Sequence, residues 1–197
     1  MLYPNLDSKR IILASKSPRR LELVRGLEIE PEVILKDVDE SYPSSLSGIE
    51  VAKFVTMAKA SAFYPMMETK DVVITGDTIV LLDGEILEKP SNAEEAASML
   101  RKLSGKTHVV ASGISVTTLV KGKPETSCKV DTCQVTFETL TEEIITHYIA
   151  IYNPFDKAGS YGVQDLIGFI GVSSIQGSFY TVMGLPVHLL HKMLQEI

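Results

Sequence analysis

The sequence predicts a mixed α/β fold with a central sheet flanked by helices, and three observations carry that prediction. Apolar runs of strand length alternate with helix-period segments through the first half of the chain, paired β-rich runs joined by turn residues follow, and no internal repeat or low-complexity linker intervenes. A chain of 197 residues, 45% of them hydrophobic, can bury a sizeable core, so residues 1–197 are read as a single domain.

Ile11-Ile12-Leu13-Ala14 forms a short strand, and Ser17 with Pro18 supplies an N-cap and a first position for the helix that follows. Leu21, Val24 and Leu27 share one face of that helix, Gly26 is placed to end it, and Glu30 to Leu35 is extended. The polar, proline-containing stretch Lys36 to Ser47 is a loop. Ile49 to Met67 has helical spacing, with Val51, Val55, Ala58 and Ala62 as its apolar stripe and Pro65 marking its end. Val72-Val73-Ile74 and Ile79-Val80-Leu81-Leu82 are strand runs on either side of a polar interruption, Thr75-Gly76-Asp77-Thr78. Asp83-Gly84 is a hairpin turn leading to Ile86 and Leu87, and Ser91 with Glu94 makes a capping box for a helix through Leu103 that Ser104-Gly105 closes. His108 to Val120 and Cys128 to Phe137 pair through the turn Lys121-Gly122-Lys123-Pro124. Thr141 caps another helix, Asn153 to Gly162 is a glycine-bearing loop, two short strands follow, and a helix from about Pro186 ends the chain.

Charge and composition exclude several classes of function. The formal net charge of −6 gives no global basic field for gripping a nucleic-acid backbone, so a nucleic-acid polymer is not expected as a partner, while a local basic pocket for a small anion remains compatible. Met1 to Lys16 holds no apolar run of signal-peptide length and no stretch approaches the roughly 20 apolar residues of a membrane span, so a cytoplasmic protein without a membrane partner is expected. Cys128 and Cys133 stand five apart in a strand-like run. At about 3.3 Å per residue they lie on opposite faces and beyond disulfide reach.

Three constellations carry candidate chemistry. In Ser15-Lys16-Ser17-Pro18-Arg19-Arg20 a strand end, two hydroxyls, a helix N-terminus and two guanidiniums converge; free backbone N–H groups, the helix dipole and forked arginine donors all favour phosphate. The plain alternative is a capped surface helix with solvated arginines. Thr75-Gly76-Asp77-Thr78 sets a carboxylate in an apolar strand context, where it needs a partner. That partner is a metal ion or catalytic water, or else neighbouring backbone at a strand bend. Asp156 to Gln164 mixes acid, base, glycine and amide, which suits either a ligand loop whose Gln164 meets a base edge or a structural turn with Asp156 and Lys157 paired. Asp39, Glu40, Lys59 and Glu88-Lys89-Pro90 say little by themselves, and His188 and His191 receive no role.

Taken in order, these pieces resemble the Maf family of nucleoside triphosphate pyrophosphatases, structurally related to the inosine triphosphate pyrophosphatases. The resemblance covers nearly the whole chain. It rests on Leu13-Ala14-Ser15 with Ser17-Pro18-Arg19-Arg20, Gly76-Asp77-Thr78, Leu87-Glu88-Lys89-Pro90, Leu103-Ser104-Gly105 with Thr107-His108, Asp156-Lys157-Ala158-Gly159 with Tyr161 and Gln164, and Gly177-Ser178 leading to Gly184-Leu185-Pro186. Lys16, where a small residue is usual, and Phe179, where tyrosine is usual, depart from the pattern.

The resemblance implies an elongated, two-lobed α/β domain. It implies hydrolysis of dTTP and UTP to monophosphate and pyrophosphate by water attack at the α-phosphorus, assisted by Mg2+ or Mn2+. Within it, Arg19, Thr78 and Gln164 fall where the dTTP/UTP subgroup is recognised, and Asp77 matches the catalytic base. Ser15, Ser17, Arg20, Lys59 and Lys89 are assigned to phosphate, Glu40 and Asp77 to the metal. A homodimer is compatible with this assignment. The rival is a nucleotide-sensing regulator of cell division or septum formation, but a sensor has no need of a carboxylate where an attacking water would stand.

Overall fold

The computed structural model describes residues 2–197. In chain order it contains strand β1 (Arg10–Leu13), helix α1 (Pro18–Arg25), β2 (Glu32–Val33), α2 (Ile49–Ser61), β3 (Asp71–Leu82), β4 (Glu85–Leu87) and α3 (Ala93–Leu103). There follow β5 (Thr107–Val120), β6 (Lys123–Phe137), α4 (Glu142–Tyr152), α5 (Leu166–Ile170), β7 (Val172–Gln176), α6 (Phe179–Met183) and α7 (Val187–Gln195). The strands form one mixed sheet in the order β2-β1-β3-β5-β6-β7, with β4 also on β3. β1 runs parallel to both β2 and β3, whereas β4 is antiparallel to β3 and β7 to β6. The expected mixed α/β class is therefore the observed one, and no helix among the described residues is long and apolar enough to cross a membrane.

The chain divides into two compact units. The first comprises the N-terminal segment through Asp77, Ser112–Asp131 and Gly184–Ile197; the second comprises Thr78–Ala111 and Thr132–Met183. In the first unit β1 is in register with β3 from Arg10 opposite Asp71 to Leu13 opposite Ile74, and α2 buries Val51 and Val55 as its apolar spacing predicts. The rest of the predicted stripe is rotated. Ala58 and Ala62 are only half-buried, and Ala52, Thr56 and Ala60 are buried instead. The cause is close backbone approach: a Cβ on Gly113 of β5 would collide with Thr56 Oγ1 and lie 2.7 Å from the Ala52 carbonyl, so this seam admits only small side chains. Thr56 is tolerated there because its hydroxyl donates to the Ala52 carbonyl at 2.7 Å.

Several local expectations hold and several shift. Ser17 caps α1, Thr141 caps α4, and Asp83-Gly84 turns with both residues at positive φ (52° and 86°). Lys121 and Gly122 alone make the β5–β6 turn, at φ 50° and 75°, and the strand resumes at Lys123. The polar interruption at Thr75 to Thr78 does not break the strand, since β3 runs unbroken through it. Gly26 remains in the right-handed region, and the left-handed residue after α1 is Glu28 at φ 63°. The cap of α3 is Asn92, whose side chain accepts from the Glu95 N–H at 2.9 Å while Glu95 reaches back to the Ser91 N–H at 2.8 Å, so the expected box is shifted by one residue. One of the two short strands expected after Gly162 is present as β7, and it is flanked by the five-residue helices α5 and α6.

The second unit has an aromatic centre. His108, 1% exposed, lies 2.7 Å through Nε2 from the Tyr161 hydroxyl, and its ring meets Phe137 and Tyr161 edge-on at centroid distances of 5.0 and 5.4 Å. Nδ1 is buried without a hydrogen-bond partner among the described residues. Burial disfavours the imidazolium and pushes the His108 pKa down to about 4. Between that value and an unfolded value near 6.5 the unfolded chain binds more protons, so stability is full above pH ~6.5 and is lost as pH falls toward 4. We expect a loss on the order of 3 kcal/mol over that window from this group. Denaturant unfolding of wild type and His108→Phe from pH 7 to 4 checks this, and the variant should lose most of the slope.

Candidate active site

In the first unit the loop after β1 is shaped by its own hydroxyls. Ser15 Oγ accepts from the Ser17 N–H at 3.2 Å and from Arg20 Nη1 at 3.3 Å, while Ser17 Oγ accepts from the Arg20 N–H at 3.4 Å as the cap of α1. Both serines act as acceptors in these bonds, and each hydroxyl proton can still donate to an anion. Arg20 Nε donates to the Gly184 carbonyl at 2.8 Å, which ties the start of α1 to the residue three positions before α7. Arg20 is half-buried, and loss of water lowers the pKa of its guanidinium; the Asp77 charge opposes that, Arg19 adds to it, and Glu40 opposes it. Three charged side chains, Asp77, Arg19 and Glu40, are thus within electrostatic reach of this guanidinium.

Asp77 is placed by β3. The two residues before it explain how a polar tetrapeptide stays in the sheet. Thr75 is fully buried, donates to the Thr56 carbonyl of α2 at 2.9 Å and shares a 2.7 Å bond with Ser115 Oγ of β5. Gly76 has no room for a side chain, since a Cβ would lie 2.8 Å from the Gly113 carbonyl and 3.6 Å from Arg20 Nε. Helix α2 is thereby fixed to β3 and β5 at Thr56, and Lys59, one turn further on, meets the carboxylate. Lys59 Nζ is 2.8 Å from Asp77 Oδ1 and 3.0 Å from Glu40 Oε2. The Lys59 and Asp77 side chains are 15% and 13% exposed and that of Glu40 is 50% exposed, so the ammonium joins one shielded carboxylate to one open to solvent.

Glu40 and Asp77 also suit a hard cation. Mg2+ and Mn2+ are commonly held by one or two carboxylates plus water and substrate phosphate oxygens, and these two oxygen donors match that partial set. Among the described residues no group of three or more His, Cys, Asp and Glu is placed to hold a metal. Lys16, the departure in the loop, is exposed and stands 3.7 Å from Asp37, so it leaves the Ser15-Ser17-Arg20 bonds undisturbed. His188 faces Asp131 at 3.8 Å and His191 Nδ1 faces the Tyr3 hydroxyl at 2.8 Å, which accounts for both without a metal.

The second unit holds Thr78, Lys89 and Gln164. Thr78 is half-buried on β3 and Lys89 is exposed after β4. Gly159, at φ 67°, packs against Val80 so closely that a Cβ would be 3.1 Å from both methyls, and its N–H donates to the Glu88 carbonyl at 3.1 Å. Three residues on, the Gly162 N–H donates to the Tyr148 hydroxyl at 3.0 Å, and that hydroxyl donates to Asp165 Oδ2 at 3.0 Å. A Cβ on Gly162 would be 2.5 Å from Asp165 Oδ2 and 2.8 Å from Gln164 Nε2. Gln164 is half-buried, and its Oε1 is buried with no hydrogen-bond partner among the described residues. Lys157 pairs with Asp156 at 2.9 Å and stands 3.7 Å from Asp165, so the turn is held by an ion pair and also presents the amide.

Ser15, Ser17, Arg19, Arg20, Glu40, Lys59 and Asp77 therefore belong to the first unit, where bonds and charge coupling relate all of them. Sequence reasoning missed Thr56, Thr75, Gly113 and Ser115 as the residues that seat Asp77, and Tyr148 and Asp165 as those that flank Gln164. The bonds of Thr75 to Thr56 and Ser115, and of Tyr148 to Gly162 and Asp165, span 14 to 40 positions of the chain, and no local sequence signal marks them.

The fold is shared with the Ham1 protein of Staphylococcus aureus, whose solved structure matches with a TM-score of 0.55 at 16% identity over 95% of this chain and 99% of that one. An α/β chain of this fold with a lysine-paired carboxylate beside an arginine-bearing helix start has its family defined by sequence as well. Residues 10–197 match the Maf-like protein family, and the chain belongs to it. Proteins named dTTP/UTP pyrophosphatase are 48% identical over 194 residues in Bacteroides thetaiotaomicron (98% of each chain) and 46% identical over 197 residues in Bacteroides fragilis (100% of each). A third, in Porphyromonas gingivalis, is 45% identical over 198 residues (99% of this chain and 98% of that one).

The internal bonds of Arg20 predict a stability effect. Arg20→Lys keeps the charge but loses the fork that spans Gly184 and Ser15, and should destabilise the protein by about 1–3 kcal/mol. Thermal and urea unfolding measure this, and an unchanged midpoint would show that the loop does not depend on the guanidinium.

Proposed function

We propose that this protein is a nucleoside triphosphate pyrophosphatase that hydrolyses dTTP and UTP to the monophosphate and pyrophosphate. The observation that carries the proposal is Asp77: a shielded carboxylate in β3, held by Lys59 and set among Arg19, Arg20 and Glu40, in a chain 44–48% identical over 98% or more of its length to relatives named for that activity. The names of those relatives supply the substrates.

In the proposed reaction Asp77 accepts a proton from water, and the water oxygen forms a bond to the α-phosphorus. The bond from that phosphorus to the α–β bridging oxygen breaks, and pyrophosphate departs with the bonding pair. Negative charge spreads over the phosphate oxygens, so most of the catalysis is positioning and neutralisation. Ser15 and Ser17 donate their hydroxyl protons to phosphate, Arg20 and Lys59 add positive charge, and Lys89 adds a further cation. Lys59 also holds Asp77 in place before substrate arrives. When bound by Glu40 and Asp77, Mg2+ or Mn2+ supplies Lewis-acid neutralisation of the triphosphate. Arg19, Thr78 and Gln164 are assigned to base selection: an amide that both donates and accepts can match the O4 and N3–H edge of uracil or thymine, and the unpaired Gln164 Oε1 is an acceptor awaiting a donor.

Mixing the protein with UTP, dTTP, ATP and 7-methyl-GTP, with separate detection of pyrophosphate and orthophosphate, tests this directly. UTP and dTTP should yield monophosphate and pyrophosphate in equal amounts, with kcat/KM well above the purine substrates, and EDTA should abolish turnover until Mg2+ or Mn2+ is restored. Orthophosphate as the product would overturn the bond assignment, and tight binding without turnover would favour a nucleotide sensor.

Asp77→Asn preserves shape and removes the base. It should lower kcat by about 10²–10⁴-fold with the folded circular-dichroism spectrum retained. Near-wild-type turnover in the folded variant would remove Asp77 from the chemistry.

A further inference from the structure

Gln164 sits in a loop whose conformation depends on one buried hydroxyl. Tyr148 lies on α4 with its side chain fully buried, and its ring stacks on Tyr152 at a centroid distance of 5.0 Å. Its hydroxyl is bonded on both sides of Gln164, accepting from the Gly162 N–H two residues before it and donating to the Asp165 carboxylate one residue after it, each at 3.0 Å. Burial raises the Tyr148 pKa, so the hydroxyl keeps the proton it gives to Asp165. With no side chain on Gly162, Gln164 Nε2 lies close to the backbone at that point, and Oε1 is buried and unpartnered among the described residues. A buried acceptor without a bond is costly unless a ligand supplies the donor, and a loop free to relax would turn that oxygen toward water. Something must hold it, and the two bonds of Tyr148 bracket it in sequence.

We propose that Tyr148 is the positioning residue for base selection: its hydroxyl clamps Gly162 and Asp165 so that the Gln164 amide is presented to the pyrimidine edge in a fixed orientation. The inference rests on the base-reading role of Gln164, and the clamp itself is a separate property of the free protein.

Two measurements keep the two apart. In the free protein, exchange of the Gly162 amide with solvent, followed by NMR, should be slow in wild type and at least roughly 3- to 10-fold faster in Tyr148→Phe, which keeps the ring and removes the hydroxyl. In turnover, the ratio of kcat/KM for UTP to that for ATP should fall by a similar roughly 3- to 10-fold in Tyr148→Phe, with ATP turnover itself nearly unchanged. Gln164→Ala should lower the same ratio, and adding Tyr148→Phe to it should lower the ratio no further, because the amide being positioned is gone. Asp165→Ala, which removes the acceptor of the Tyr148 hydroxyl, should reproduce the selectivity loss and serves if Tyr148→Phe folds poorly. Unchanged Gly162 exchange overturns the clamp whatever the kinetics show. Faster exchange with the UTP/ATP ratio kept in Tyr148→Phe but lost in Gln164→Ala overturns the positioning role. A ratio kept in Gln164→Ala overturns base reading by Gln164, and the exchange data, which involve no substrate, show whether the clamp survives it.

Discussion

The charge on Asp77 is the constraint around which the first unit is built. A carboxylate in an otherwise apolar strand would be costly if left without a counter-charge, and its partner comes from a helix that must lie at a fixed height against the strand. Thr75 and Ser115 supply that height through hydroxyl bonds at the turn of α2 preceding Lys59, so the ion pair is the last link of a buried polar seam. Hydrogen bonds of this kind contribute about 1 kcal/mol each, but leaving any one of the buried groups unpaired costs more, and so the seam is specified more strongly than its net contribution suggests. The loop after β1 is organised by the same rule. Ser15 and Gly184 accept from the Arg20 guanidinium and Ser17 from its backbone N–H, which fixes the position of the charge.

Much of this was legible in the sequence and the reasons are local. Ser17 before Pro18, Thr141, Asp83-Gly84 and Lys121-Gly122 each act through backbone within a few residues, and the structure places each where its chemistry predicts. The Asp77 carboxylate announced its need of a partner by standing among valines and isoleucines. What stayed hidden was long-range. Thr75-Gly76-Asp77-Thr78 stood out only as a polar interruption within a β-rich stretch; what holds it in the strand is the bonding of Thr75 to Thr56 and Ser115, neither of which is near it in the chain. The stripe on α2 was misaligned for a related reason: Ala58 and Ala62 fit the helical period, but Ala52 and Thr56 fit the space that Gly113 leaves. At α3 two adjacent residues, Ser91 and Asn92, could each cap, and the fold uses the second.

The second unit applies a different device. Its polar centre is formed by tyrosines whose hydroxyls are far from water: Tyr161 against His108 and Tyr148 against Gly162 and Asp165. An aromatic residue fills the core with its ring and meets backbone with its tip, so one side chain supplies both packing and orientation to the segment that carries Gln164. The family resemblance located Gln164 but said nothing of the groups behind it, since those contacts exist only after α4 has folded onto the loop.

Gly76 and Gly113 leave a further consequence. At Gly76 the close neighbour is the Gly113 carbonyl, and at Gly113 it is the Thr56 hydroxyl together with the Ala52 carbonyl. The approach of α2 to β5 and of β5 to β3 is therefore limited by hard contacts at two positions that carry no Cβ, which leave less room to adjust than a packing of rotamers. Substitutions elsewhere in the core can loosen the protein without displacing the carboxylate, whereas a single added methyl at either glycine would shift the whole seam. In a saturation mutagenesis map these two positions should stand out as intolerant even of alanine, surrounded by hydrophobic positions that exchange Val, Ile and Leu with little penalty.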